Sequence, residues 1–298
     1  VIHEDEVKAL DEKVARRRAF LKSAGFTGLG LAAATLTAGK LGAFDGAPAA
    51  KALGINTPSV KAAEDIDYDI LNFALNLEYL EAEFYAKATT GLTAGALGAN
   101  TGGSVGTYGP TVGGRKVDFY IPDFPSLTKT LTYTAEELCF DELAHVNLIH
   151  GALGKLAVTK PAINLDALGI GFGNYAEFLT LARAFEDTGL SAYDGAAPLI
   201  TSKAYLAVAA QIALTEANHS GSIRLMVALN NIPVSPLDSI DVVPPPSGAQ
   251  YFNVSLPNAL AATRTPSQVL AIVYGNSAKG TSSGGFFPNG MNGAINTV

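Results

Sequence analysis

Two short segments, Glu142-Leu-Ala-His145 and Glu216-Ala-Asn-His219, each set a glutamate and a histidine three residues apart inside an otherwise apolar helical stripe. In the first, the stripe is Ala135, Leu138, Cys139, Val146 and Ile149; in the second it is Val208, Ala209, Ile212, Ala213, Ile223 and Val227. Residues three apart on a helix share one face, about one turn apart, and can reach the same ion. An unpartnered carboxylate in such a stripe costs several kcal/mol or must protonate, so two inward Glu/His pairs call for a partner, and a metal supplies one. With 13 Glu in 298 residues, a Glu three before a given His occurs by chance about one time in twenty, so two pairs among four histidines is roughly a one-in-a-hundred accident.

Composition removes several function classes. The chain is 48% hydrophobic and 16% charged, ample for one sizeable core. Of the 20 Lys and Arg, 8 fall in residues 1–52, against 6 of the 27 Asp and Glu, so the remainder is more acidic than the chain's overall −7 and repels phosphate backbones. No nucleic-acid partner is expected. A lone Cys139 rules out an internal disulfide, a redox CxxC pair and a cysteine-rich zinc or iron–sulfur site within one chain.

Residues 16–52 read as a processing signal, outside the fold. Arg17-Arg-Ala-Phe-Leu-Lys22 precedes a Gly/Ala/Leu run from Ser23 to Ala38, then Ala47-Pro-Ala49 and Ala50-Lys-Ala52. This resembles a bacterial twin-arginine export signal, with Arg16 where Ser or Thr usually stands. It implies a periplasmic or cell-envelope destination, with cleavage expected near Ala49 or Ala52. An uncleaved anchor is disfavoured, because about 16 modestly apolar residues are short for a membrane span.

Further along, Asp65 and Asp67 are N-cap candidates for a first helix running to about Thr89. Leu71, Ala74, Leu75, Ala82 and Tyr85 share a face with Glu78 at its centre, and Glu81 lies one turn on; Glu83 points elsewhere, toward solvent. Gly91–Pro125 is too long for an ordinary connection and predicts an ordered excursion, with Val117–Ile121 as its strand-like run and a small hairpin as its form. Ser126–Gly154 is the second helix, where His150 falls off the His145 face and reads as a capping or surface residue.

Lys155–Gly173 reads as a crossover. Asn174 then caps a third helix from Tyr175 to about Leu190, with Leu179, Ala182, Leu190 and Tyr193 on one face beside Glu186; Asp187 and Glu177 lie off it and read as solvated. Thr201 caps the fourth helix. Beyond Pro233 the chain is Pro-rich and extended, except for a short helix over Pro266–Tyr274. Its Gly284–Gly293 end is apolar enough to pack on the bundle or a neighbouring subunit. The expected division is therefore a signal segment (1–52), a helical bundle (53–232) and a C-terminal tail (233–298), with no internal repeat beyond the echo of the two Glu/His helices.

Four helices thus offer, in order, Glu78, then Glu142 and His145, then Glu186, then Glu216 and His219. One Glu from each of two helices and a Glu-x-x-His from each of the other two is the arrangement of dinuclear carboxylate bundles. Four carboxylates and two divalent ions also sum to neutrality inside an apolar bundle.

At Leu75-Asn-Leu-Glu78 with Tyr85, Glu142-Leu-Ala-His145 and Glu216-Ala-Asn-His219, the chain resembles the ferritin-like superfamily. Within it, Leu75–Tyr85, Ala192-Tyr193, Thr263–Tyr274 and Gly285-Phe-Phe-Pro-Asn-Gly290 look like the desiccation-related branch. The resemblance, over about Asp65–Asn292, implies an all-α ferritin-like four-helix bundle. For its cofactors it implies two Fe or Mn ions, with Glu78 and Glu186 terminal or bridging and Glu142 and Glu216 bridging.

Peroxide or oxygen would be the substrate, with Glu81 or Tyr85 relaying a proton. Glu81 adds a fifth carboxylate, to be protonated or paired with Arg183 or Arg224. Without an internal electron donor, peroxide disproportionation is easier to sustain than reduction, and the lack of thiolate argues against a closed structural zinc site. Cys139 reads as a small buried hydrophobe. The competing reading is a non-catalytic structural or protective envelope protein, whose excursion and tail contact other subunits or cell-wall material. Shell-forming iron storage is disfavoured, since tail and excursion leave no plain surface for a closed shell.

Overall fold

The computed structural model describes residues 60–256 and 258–298, with side chains from residue 66; the segment read as an export signal lies outside them. The described residues form one compact unit. Its frame is four long helices: α1 (Val60–Thr90), α2 (Pro125–Leu153), α3 (Tyr175–Ala196) and α4 (Lys203–Leu229). The helix α1 packs along α2 and α3 along α4, and the two pairs close on each other through α1–α3 and α2–α4. An all-α bundle is what the periodicity predicts. Among the described residues no helix is long and apolar enough to cross a membrane.

Local chemistry fixes most ends. Asn174 caps α3 by accepting from the backbone N–H groups of Ala176 and Glu177 at 2.9 and 3.0 Å. Pro125 opens α2, where its missing N–H costs nothing, and Gly154 closes it at φ +56°. Two expected caps shift. The cap of α4 is Ser202, whose hydroxyl accepts from Tyr205 N–H, one residue after the expected Thr201. Asp67 lies inside α1, which begins before it, and its carboxylate accepts instead from Thr201 N–H (2.7 Å), Thr201 Oγ1 (3.0 Å) and Ser202 N–H (2.8 Å). A residue read as capping its own helix therefore braces the entry to α4.

The excursion between α1 and α2 is ordered, but it forms no hairpin of its own. Its two-residue strand β1 (Thr111–Val112) pairs in parallel with β2 (Ile163–Asn164) from the α2–α3 crossover. Val117, Phe119 and Ile121 alternate inward without joining a sheet, the strand-like pattern being met by packing alone. His150 holds the excursion down, its Nε2 2.6 Å from Gly102 O and its Nδ1 3.0 Å from the Asn100 amide.

Residues 233–298 return over the bundle. A short hairpin of β3 (Val254–Ser255) and β4 (Leu260–Ala261) leads to α5 (Pro266–Val273), which opens with a reciprocal capping box between Thr265 and Gln268. Phe286, Phe287 and Met291 are buried in the common core. Asn292 is stitched to α1 by two bonds with Asn76 (2.8 and 3.1 Å) and to the excursion through Thr107. At Gly106 (φ +80°) a Cβ would fall 2.2 Å from Asn292 Cγ, so glycine is required for that contact.

Candidate metal centre

All six side chains picked from spacing point into the bundle and meet at its middle. The helix α1 contributes Glu78, α2 Glu142 and His145, α3 Glu186, and α4 Glu216 and His219; the carboxylates are fully buried and the histidines nearly so. They fall into two groups whose ligand atoms lie within 4.8 Å of one another: Glu78, Glu142, His145 and Glu216, and then Glu142, Glu186, Glu216 and His219. Glu142 and Glu216 belong to both. Each Glu-x-x-His sets its histidine within reach of the other helix's glutamate, His145 Nδ1 3.4 Å from Glu216 Oε1 and His219 Nδ1 3.0 Å from Glu142 Oε1.

The ring nitrogens define the two centres. His145 Nδ1 faces Glu142 Oε2 at 3.2 Å, Glu78 Oε2 at 3.3 Å and Glu216 Oε1 at 3.4 Å. His219 Nδ1 faces Glu142 Oε1 at 3.0 Å, Glu186 Oε2 at 3.4 Å and Glu216 Oε1 at 3.8 Å. Within the cluster, Glu78 Oε2, Glu142 Oε1, Glu186 Oε2, both Glu216 oxygens and His219 Nδ1 have no hydrogen-bond partner. Buried polar atoms in folded proteins are generally satisfied, so this many orphans aimed at one space fits a bound cation. Carboxylate and imidazole donors without thiolate suit Fe or Mn.

Electrostatics point the same way. Burial, reinforced by the neighbouring carboxylates, pushes Glu81 and Glu216 well above the usual carboxylate range. Burial also raises Glu186, and it raises Glu78 to about 7 against the pull of His145. For Glu142, burial is outweighed by the two neighbouring histidines, His145 and His219, which hold it low. Both histidines are raised, burial being overcome by the surrounding carboxylates. Protons must neutralise this cluster unless cations do.

Three features escaped the spacing argument. Asp141 Oδ2 lies 3.2 Å from His219 Nε2, the nitrogen facing away from the cluster, and so fixes the ring's tautomer and orientation. Tyr193 donates to Glu78 while Tyr85 donates to Glu186, each reaching across to the other helix's carboxylate. The separation Glu78 to Tyr85 equals that from Glu186 to Tyr193, seven residues. The two-fold echo therefore extends to α1 and α3, and that equal spacing was the available signal. Lastly, Gly189 leaves room for the carboxylates: a Cβ there would lie 2.8 Å from Glu81 Oε1 and 3.0 Å from Glu216 Oε2.

Several solvated readings are overturned. Glu83 is buried, accepts from Ala94 N–H and lies 3.9 Å from the buried Lys160 Nζ. Asp187 is fully buried between Arg183 Nε and Arg224 Nη1, both at 2.7 Å, and accepts from Ser220 Oγ at 2.6 Å. Glu177 accepts from Gly171 and Gly173 N–H. These residues lie off the cluster-facing stripe but under other cover: the excursion for Glu83, the tail for Asp187. The arginines are thereby taken, so neither neutralises Glu81. Cys139 is buried and its thiol is pushed up to about 11 by burial, an unreactive state.

Fold and site together define a four-helix bundle with a buried carboxylate–histidine cluster of the kind that could hold a metal ion. Residues 66–229, more than half of the chain, match the ferritin-like domain family, and the chain belongs to it. It is also similar to a protein of Nesocodon mauritianus named ferritin-like catalase Nec2, with 24% identity over 292 aligned positions covering 81% of this chain and 88% of that protein.

Proposed function

We propose that this chain is an exported dinuclear Fe or Mn protein that disproportionates peroxide in stress protection. The observation that carries the reading is the sharing of Glu142 and Glu216 between two four-residue groups, each completed by one histidine and one outer glutamate. A relative named a catalase supports peroxide as the substrate. The resemblance of the N-terminal segment to a twin-arginine signal supports export to the periplasm or cell envelope.

Disproportionation converts two hydrogen peroxide molecules to two waters and one dioxygen, so the site must hold two electrons and two protons between half-reactions. The metal pair would supply the electron store by alternating between divalent and trivalent states. The chain's own residues handle the rest. Glu142 and Glu216, common to both groups, would help hold both ions, Glu78 and Glu186 would each help hold one, and Tyr193 and Tyr85 orient those two outer carboxylates. Glu81, buried and raised well above the usual carboxylate range by burial and by Glu216, would give and retake a proton beside Glu216.

The test is metal content after purification without added metal, followed by peroxide consumption with dioxygen detection. Close to two Fe or Mn per chain with gas release supports the proposal; a folded, metal-free protein without turnover refutes it.

One observation favours a scaffold role beside or in place of catalysis. In and just before the β3–β4 hairpin, Tyr251, Phe252, Leu256 and Leu260 are each exposed, apolar surface suited to a second copy or an envelope component. Sedimentation of the full chain against Phe252→Ser separates these: a wild-type oligomer dissolved by the substitution supports self-association, and a monomer in both excludes it.

A further inference from the structure

The two ends of the metal cluster are related by the two-fold echo but are filled differently. Around Tyr85 the space is closed by aromatic rings: Phe84 at 5.0 Å and Phe178 at 5.9 Å between centroids, with Phe119 4.9 Å from Phe178. Around Tyr193 the corresponding place is lined by Leu71, Ala74, Ala192, Ala196 and Ala209, and a void of about 20 Å³ is left open. Ala74 and Leu71 stand one and two turns before Glu78 on α1, and Ala209 two turns before Glu216 on α4, so the void continues the metal-facing stripe. Ala74 and Ala196 are only half-buried, which gives the void an outer edge.

The volume clears the roughly 10–15 Å³ that one water-sized molecule needs, but a buried water also needs two to four polar partners. The Tyr193 hydroxyl already donates to Glu78, and the rest of the lining side chains are aliphatic or Phe73. The space therefore suits one small apolar molecule. We propose that it is a dioxygen site, a holding point between the metal cluster and the outside, reached past Tyr193. Its assignment to dioxygen as product rests on the disproportionation reading above; its preference for an apolar diatomic rests on size and lining alone.

Xenon, an apolar probe of similar size, separates the two. Crystals of the full chain under xenon pressure are expected to show an atom against the Tyr193 ring and Ala74. Ala74→Leu, with Ala209→Val as a second variant should the first fail to fold, is expected to abolish it. Absence of xenon there, or an ordered water in its place, overturns the site. In metal-loaded protein that turns over peroxide, the filled variant is expected to lower kcat for dioxygen release about threefold or more, with metal content unchanged. An unchanged kcat in a variant that has lost xenon overturns the holding role. Xenon bound in protein that never consumes peroxide would refute the disproportionation reading and leave the apolar site standing.

Discussion

His145 and His219 each turn Nδ1 toward three carboxylate oxygens of the cluster. Replacing either by Ala is expected to weaken metal retention ten-fold or more, read as metal per chain after dialysis against a chelator. Asp141 never faces the cluster, yet Asp141→Asn removes the charge that orients His219. It is expected to weaken retention by about 10- to 100-fold with the thermal midpoint of metal-free protein little changed. Gly189→Ala tests crowding: the new methyl meets the ends of two flexible carboxylates, so the protein should fold while Glu216 is displaced and metal affinity falls.

Each helix is held by partners on other elements more than by its own sequence. The carboxylate of Asp67 satisfies two backbone donors at the start of α4 from its place on α1. Asp67→Ala leaves those donors unsatisfied, and a loss of about 1–3 kcal/mol in urea unfolding is expected. The helix α3 is tied more firmly, because Asp187 pairs with two fully buried arginines. Asp187→Ala would leave the buried Arg224 without a carboxylate and Arg183 with Asp241 alone, and is expected to cost about 3–5 kcal/mol, a value that would drop sharply if both arginines were replaced by Met in the same chain.

Across the whole molecule, the tail and bundle share one electrostatic network. Arg264 binds Asp238 (2.8 and 3.0 Å) on the tail and Ser191 Oγ (2.9 Å) on α3, while Arg183 binds Asp241 and Arg224 binds the Gln250 and Tyr251 carbonyls. Burial would raise the pKa of Asp238, but the Arg264 bonds outweigh it and hold the carboxyl below its ordinary 3.8. A carboxylate lowered on folding stabilises above its unfolded pKa and loses that contribution as pH falls through the folded value. The stability difference between wild type and Asp238→Asn is therefore expected to be constant from about pH 7 to about pH 5 and to shrink below about pH 4. A flat difference down to about pH 2 would show that the pair does not act through charge.

The site's composition was legible in the chain because Glu-x-x-His is a relation within one helix, fixed by 3.6 residues per turn. A glutamate amid Leu71, Ala74, Leu75 and Ala82 has one direction to face, so Glu78 and Glu186 could be placed from their own neighbours. Periodicity also delivered the four long helices. It misjudged Glu83 and Asp187 because a residue off the main stripe is solvated only if nothing else covers it, and the excursion and tail do. Which tyrosine meets which carboxylate, that Asp141 rather than a nearer residue steadies His219, and that Arg183 and Arg224 serve Asp187 and leave Glu81 unpaired are relations across helices. Those depend on how far each helix is slid and rotated against the next, and only the packed bundle sets that.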